Sequence, residues 1–115
     1  MESEVTITIE SPRQKEIVRM IEQLDEYQDS LYPPESNHLL PIDELAGPKV
    51  RFFVARKNGV ALGCGALRID SKGYGEVKRM FVLPEARGLK LGWMILNRLE
   101  TEARRERLTR LCLET

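Results

Sequence analysis

The chain has 115 residues, 42% hydrophobic and 31% charged, which gives room for one domain around one core and leaves none for a second. Its 18 basic and 18 acidic side chains cancel, removing the bulk attraction expected of a general nucleic-acid or anionic-membrane binder. No apolar stretch approaches the roughly 18 to 20 residues of a membrane span, and the acidic Met1-Glu-Ser-Glu4 start is unlike a signal peptide, so the cytoplasm is the default address.

Val5, Ile7 and Ile9 alternate with Thr6, Thr8 and Glu10, which predicts a half-exposed first strand. Ser11-Pro-Arg-Gln14 has the spacing of a capping box, with Ser at the N-cap and Pro at the first helical position, and predicts a helix start there. Ile17, Ile21, Leu24, Gln28 and Leu31 recur at three- and four-residue spacing, with Val18 and Met20 widening the apolar stripe, and the helix should end near Tyr32 because Pro33 and Pro34 cannot continue it. From Pro33 to Pro48 the chain reads as a loop with a short helical turn around Ile42 to Ala46; it is either a substrate-facing surface or a plain connector.

Val50–Lys57 and Val60–Ile69 flank Asn58-Gly59, the pair that favours a type I′ turn, so an antiparallel hairpin is predicted. Gly63 and Gly65 fall on one face of its second arm, where missing side chains admit a ligand, another backbone, a bulge or a closely packed helix. Asp70-Ser-Lys-Gly73 is a turn, and a fourth strand follows from Tyr74 to Val82. After a Pro-broken turn, Leu91, Ile95, Leu99 and Ala103 line one face of a second long helix, with Arg98/Glu102 and Glu100/Arg104 spaced to pair on its surface. Leu108 to Glu114 is short and apolar, a fifth strand. The order β-α-(short α)-β-β-β-α-β is that of an α+β or mixed α/β sheet covered by helices.

Cys64 and Cys112 have no Cys or His neighbour at metal spacing and read as packing thiols; no metal is expected. His38, the only histidine, has no visible triad partners and reads as a solvated or loop-fixing residue. The chemistry concentrates instead in Glu76 to Leu96, which runs from strand through turn into a helix start containing Gly88 and Gly92. A helix start offers unpaired N–H groups and the positive end of the dipole, and glycines let a bulky anion approach them. Neither the lysine-containing NTP loop nor the dinucleotide fingerprint is present; Gly63-Cys-Gly65 is followed by Ala66-Leu67-Arg68.

The run Arg87-Gly-Leu-Lys-Leu-Gly92 resembles the GNAT superfamily of acyl-CoA-dependent N-acetyltransferases, whose signature is Arg or Gln, two residues, Gly, one residue, then Gly or Ala. Arg87 and Gly92 match, Gly88 is a frequent companion, and Lys90 stands where the pattern has Gly. The strand Val77–Val82, the Val82-Leu-Pro-Glu85 turn, the apolar helix and the element order extend the resemblance over nearly the whole chain, which is then one GNAT-like domain.

The resemblance implies an acetyl-CoA donor whose pantetheine arm pairs with the backbone at Met80, Phe81 and Val82, beside a bulge where the fourth strand splays from the last. Arg87 and the amides of Gly88, Leu89, Lys90, Leu91, Gly92 and Trp93 would cradle the pyrophosphate. The acceptor would be a primary amine of a small molecule or peptide, with Glu76 either the base that removes its proton or an ion-pair partner of Lys78 or Arg79. Glu76, Lys78 and Met80 share one strand face as long as no bulge intervenes.

Family members continue beyond the fifth strand with a helix and two strands, a part that usually carries a thiolate-protonating tyrosine; Tyr27, Tyr32 and Tyr74 match no such position. A chain ending at Thr115 is accordingly expected to expose its terminal strand and to form homo-oligomers through it. The alternative function is a non-catalytic acyl-CoA-binding or assembly module.

Overall fold

Five strands and three helices follow one another in the computed structural model, which describes the backbone of residues 5–31 and 42–113 and the side chains of 5–26 and 42–112. They are β1 (Val5–Ile9), α1 (Lys15–Leu31), α2 (Ile42–Leu45), β2 (Val50–Lys57), β3 (Val60–Ile69), β4 (Tyr74–Val82), α3 (Leu91–Arg105) and β5 (Arg110–Leu113), with a 3-10 turn at Pro84–Ala86. This is the order the sequence predicts. His38 and most of the loop before Ile42 lie outside the described residues, as does the side chain of Tyr27.

The strands form one sheet in the order β1-β2-β3-β4-β5. The first four are antiparallel neighbours, and β5, reached through α3, lies parallel to β4. Between β2 and β3, Asn58 and Gly59 have φ of +54° and +78°, the left-handed pair that a type I′ turn requires, and Lys57 faces Val60 across it.

Apolar residues on both faces of β2 divide the core in two. Phe52 and Val54 join Ile17, Met20, Ile21 and Leu24 of α1, Leu45 of α2, and Cys64, Ala66 and Phe81 on one side. Phe53 and Ala55 join Leu67, Val77 and the Ile95, Leu99 and Ala103 stripe of α3 on the other. Gly63 and Gly65 lie under α3: a Cβ at Gly65 would stand 2.7 Å from Ile95 Cγ2, and one at Gly63 3.1 Å from Ile95 Cδ1. A Cβ at Gly63 would also stand 2.9 Å from the Phe81 carbonyl oxygen, so these glycines admit both the closely packed helix and the neighbouring β4 backbone.

Three local expectations are corrected. The helix does not begin at the Ser11 capping box but at Lys15, with the Gln14 carbonyl accepting from Val18 N–H at 2.8 Å. Ser11 Oγ accepts from Arg13 N–H at 3.1 Å in a turn ahead of the helix, and the Gln14 side chain donates to Glu10 and to the Ser11 carbonyl and accepts from Arg56. On α3, Arg98 does not pair with Glu102 but lies over the Phe53 ring, 5.2 Å from its centroid, while Glu102 is buried facing Arg51. The fifth strand begins at Arg110, because Leu108 is still used to end α3: its N–H bonds to the Ala103 carbonyl while Arg107 adopts φ +58°. Among the described residues no helix is long and apolar enough to cross a membrane.

Candidate active site

Strand β4 changes face part-way along. Val77 packs on the α3 side and Phe81 on the α1 side, which a regular strand cannot do across four residues. The register explains it: Ala66 faces Lys78 but Cys64 faces Phe81, so Gly65 alone opposes both Arg79 and Met80 in a β-bulge. Arg79 takes φ +54°, sparsely populated for a side-chain-bearing residue. Met80 Cγ lies 3.6 Å from where a Gly65 Cβ would be, on the α3 side with Ile95 and Leu99. Met80 therefore does not share the face of Glu76.

Beyond the bulge β4 loses its outer neighbour. Among the described residues β5 pairs with it only from Tyr74 to Val77, and the β5-side edge at Met80 to Val82 has no strand beside it. Met80, Phe81 and Val82 are the end of that edge, with the Phe81 side chain buried and Met80 exposed. An open backbone edge beside a parallel strand is suited to pair with an extended amide-containing ligand.

The turn that follows leads straight to the helix start. Leu83 N–H donates to the Leu62 carbonyl at 2.9 Å, the 3-10 turn at Pro84–Ala86 redirects the chain, and Arg87 folds back so that Nε donates to the Val82 carbonyl at 3.3 Å. Gly88 has φ +95°, so its need for glycine is conformational; a Cβ there would meet nothing within 4 Å. Lys90 is the N-cap of α3 at φ +61°, ψ +24°, and its side chain makes no capping bond.

The first helical hydrogen bond of α3 runs from Met94 N–H to the Lys90 carbonyl at 3.1 Å. The N–H groups of Leu91, Gly92 and Trp93 precede it and have no backbone partner among the described residues. At Gly92 an added Cβ would have only Val82 Cγ2 nearby, at 4.0 Å, so the missing side chain leaves free space in front of these donors. Leu89, Lys90 and Trp93 are exposed around them. The arrangement can hold a polyanion, with Arg87 and Lys90 adding positive charge.

Glu76 lies on the α1 side of β4, half-exposed, accepting from Arg68 Nη1 at 2.9 Å with Lys78 Nζ at 3.3 Å. Its cross-strand partner Arg68 was not foreseen, and Arg79 pairs elsewhere, with Asp25 of α1. Buried Cys64 donates its thiol hydrogen to the Arg79 carbonyl, at 3.3 Å. Burial pushes that thiol up to about 12, against the opposing pull of the Arg79 charge. Tyr74 sits at the far end of β4 with the Arg110 guanidinium 5.3 Å from its ring centroid, away from the bulge. A concavity of about 550 Å³ lies apart from the helix start, on the α1 side, between Lys15, Arg19 and Gln23 and the Leu83–Glu85 turn. Among the described residues no three His, Cys, Asp or Glu side chains gather as a metal site.

A bulged strand that parts from a parallel neighbour and turns into a glycine-opened helix start is the architecture of acyl-CoA-dependent acyltransferases. A model of the Acetyltransferase (GNAT) family matches residues 17–115, and the chain belongs to that family. It is 56% identical over 112 residues to an IAA acetyltransferase of Azospirillum brasilense, covering 96% of this chain and 73% of that protein. A Klebsiella pneumoniae crystal structure ascribed to the acyl-CoA N-acyltransferases superposes with a TM-score of 0.77 at 35% identity, over 96% of this chain and 71% of that one. At 19% identity the fold also matches an aminoglycoside N-acetyltransferase, AAC(6')-Iy, solved in complex with CoA, with a TM-score of 0.67 and coverage of 100% and 79%.

Proposed function

We propose that this acyltransferase moves an acetyl group from acetyl-CoA to a primary amine of a small molecule or peptide. The observation that carries the proposal is the pairing of two features a few residues apart: the β4 edge at Met80–Val82, which no strand pairs among the described residues, and the N–H groups of Leu91, Gly92 and Trp93, without a backbone partner among those residues, with free space at Gly92. The first suits the amides of a pantetheine arm and the second its pyrophosphate, with Gly88, Leu89 and Lys90 completing the cradle and Arg87 beside it.

In the reaction the amine nitrogen attacks the thioester carbonyl, an N–C bond forms and the C–S bond breaks. Backbone donors at the bulge stabilise the oxyanion, and CoA departs as the thiolate, which takes up a proton from water. Glu76 accepts the proton the amine must lose, directly or through a water, its carboxylate being held in place by Arg68 and Lys78. The relative named as an IAA acetyltransferase puts IAA in the first panel of acceptors beside simple amines.

Calorimetric titration with acetyl-CoA tests the donor half. We expect saturable binding to the wild type and its loss in Gly92→Glu, which places a carboxylate against the pyrophosphate. Because a Cβ at Gly92 has open space, this variant keeps its fold, and unchanged affinity would refute the cradle. For the acceptor half, Glu76→Gln should lower turnover about a hundredfold while leaving acetyl-CoA affinity intact. Equal turnover across the pH profile would remove Glu76 from the mechanism.

A further inference from the structure

Among the described residues the largest aromatic side chain is also the least covered. Trp93, the only tryptophan, is 69% exposed, whereas Phe52, Phe53 and Phe81 are buried and the exposed Tyr74 ring carries the Arg110 guanidinium over it. No described cation lies over the indole, and no described group takes its N–H. Tryptophan is highly buried on average, so packing within the protein does not account for an indole left in water beside a helix start.

Its place on α3 says what meets it. Trp93 is two residues from both Leu91 and Ile95, which are buried against the sheet, so it lies about half a turn around the helix from each, on the side away from the sheet. Helical side chains lean toward the N-terminus and cover the preceding turn, which brings a long indole over the first turn of α3 and its N–H groups. Gly92 stands between this indole and β4, since Val82 Cγ2 is 4.0 Å from an added Cβ there. A donor that runs along β4 and rests its pyrophosphate before Gly92 meets Trp93 as it leaves the sheet. Lys90, one turn earlier, is exposed and forms no ion pair among the described residues.

We infer that the Trp93 indole is the stacking platform for the adenine of the acyl donor, with Lys90 beside it for the phosphate on the ribose. The platform selects the carrier of the thioester. Free acetyl-CoA bears the adenosine, whereas a phosphopantetheine arm attached to a carrier protein offers the same thioester and the same amides but no base. The inference rests on the proposed binding of acetyl-CoA at this site and adds the role of the side chain, which is separate from that of the Trp93 backbone N–H.

Because Trp93 is the only tryptophan, fluorescence reads this side chain alone. Acetyl-CoA and S-acetyl-4′-phosphopantetheine are each titrated against the protein by calorimetry and by emission. We expect acetyl-CoA to quench the indole strongly at saturation and S-acetyl-4′-phosphopantetheine to leave most of the emission. Trp93→Ala should weaken acetyl-CoA about tenfold more than it weakens S-acetyl-4′-phosphopantetheine, and Trp93→Phe, which keeps an aromatic face, should recover most of that difference. The exposed position lets both variants fold, and their Tm values check it. Equal losses for the two donors in Trp93→Ala, or unchanged emission while calorimetry records acetyl-CoA binding, would overturn the inference. Emission that follows protein concentration and not ligand would assign the indole to a contact between two copies and overturn it as well. If the wild type binds neither donor, the functional proposal itself fails and takes this inference with it, a result distinct from the others because calorimetry reads no binding at all.

Discussion

Lys90 shows how a single departure from a motif can be absorbed. It occupies φ +61°, where the family pattern has Gly, and a side chain in that region costs about 1 kcal/mol. Its side chain makes no capping bond and is exposed, so no hydrogen bond among the described residues offsets the cost. Lys90→Gly should therefore raise stability by about 0.5 to 1 kcal/mol, read as a higher Tm. Acetyl-CoA should still bind, a few-fold more weakly, because the backbone donors remain and one cation is lost. A lower Tm would show that the Lys90 stem makes packing contacts that matter more than its backbone conformation. The glycine-opened start of α3 was legible in the sequence because glycine spacing, a Pro-broken turn and an apolar helix stripe are all local signals. Glu76 was legible too, but not its partner Arg68, which lies across the sheet and is fixed by register.

Elements were predicted nearly to their ends where a short-range rule controls them. Asn58-Gly59 dictated the hairpin, and the Leu91, Ile95, Leu99 and Ala103 stripe dictated α3 and its buried face. The start of α1 was misplaced because the Gln14 side chain is taken up by Glu10, four residues back, and by Arg56 of β2, 42 residues away. A bulge near Met80 was expected from the resemblance, and Gly65 admitted one, but its position at Arg79 was not legible, since no alternation pattern reveals that Gly65 opposes two residues. That glycine gives an element-scale prediction. A methyl at Gly65 would press on Ile95 Cγ2 at 2.7 Å and Leu99 Cδ1 at 3.3 Å, both on a helix packed against the sheet. Gly65→Ala should destabilise by about 1 to 3 kcal/mol, seen as a lowered midpoint in urea unfolding. Because α3 also carries the proposed cradle, the same variant should weaken acetyl-CoA binding when α3 is pushed outward. A Gly59→Ala control has open space but φ +78°, so it reports turn strain without moving α3.

On the scale of the whole molecule, two cores share one sheet, and a buried ionisable group in the α1-side core ties stability to pH. Cys64 is held near 12 by burial, above its ordinary value of 9.0, with the Arg79 charge opposing. Below pH 9 the thiol is protonated in both folded and unfolded chains, so its full contribution is present. Between about 9 and 12 the unfolded chain releases a proton that the folded chain retains, and stability falls with rising pH by at most about 1.4 kcal/mol per pH unit. The acid limb has the opposite sign: the Arg56 hydrogen bonds hold Glu10 below its ordinary 4.5, so that contribution is present above the unfolded value and fades as pH drops through the folded one. Tyr and Lys groups also titrate in the alkaline range, so the discriminating measurement is a difference. Cys64→Ala should lower Tm at pH 7 through the small cavity it leaves, yet its Tm should fall less steeply than that of the wild type above pH 9. Parallel Tm curves for the two proteins up to pH 11 would mean that Cys64 ionises no less readily folded than unfolded, and that the thiol tie to the Arg79 carbonyl is open to solvent.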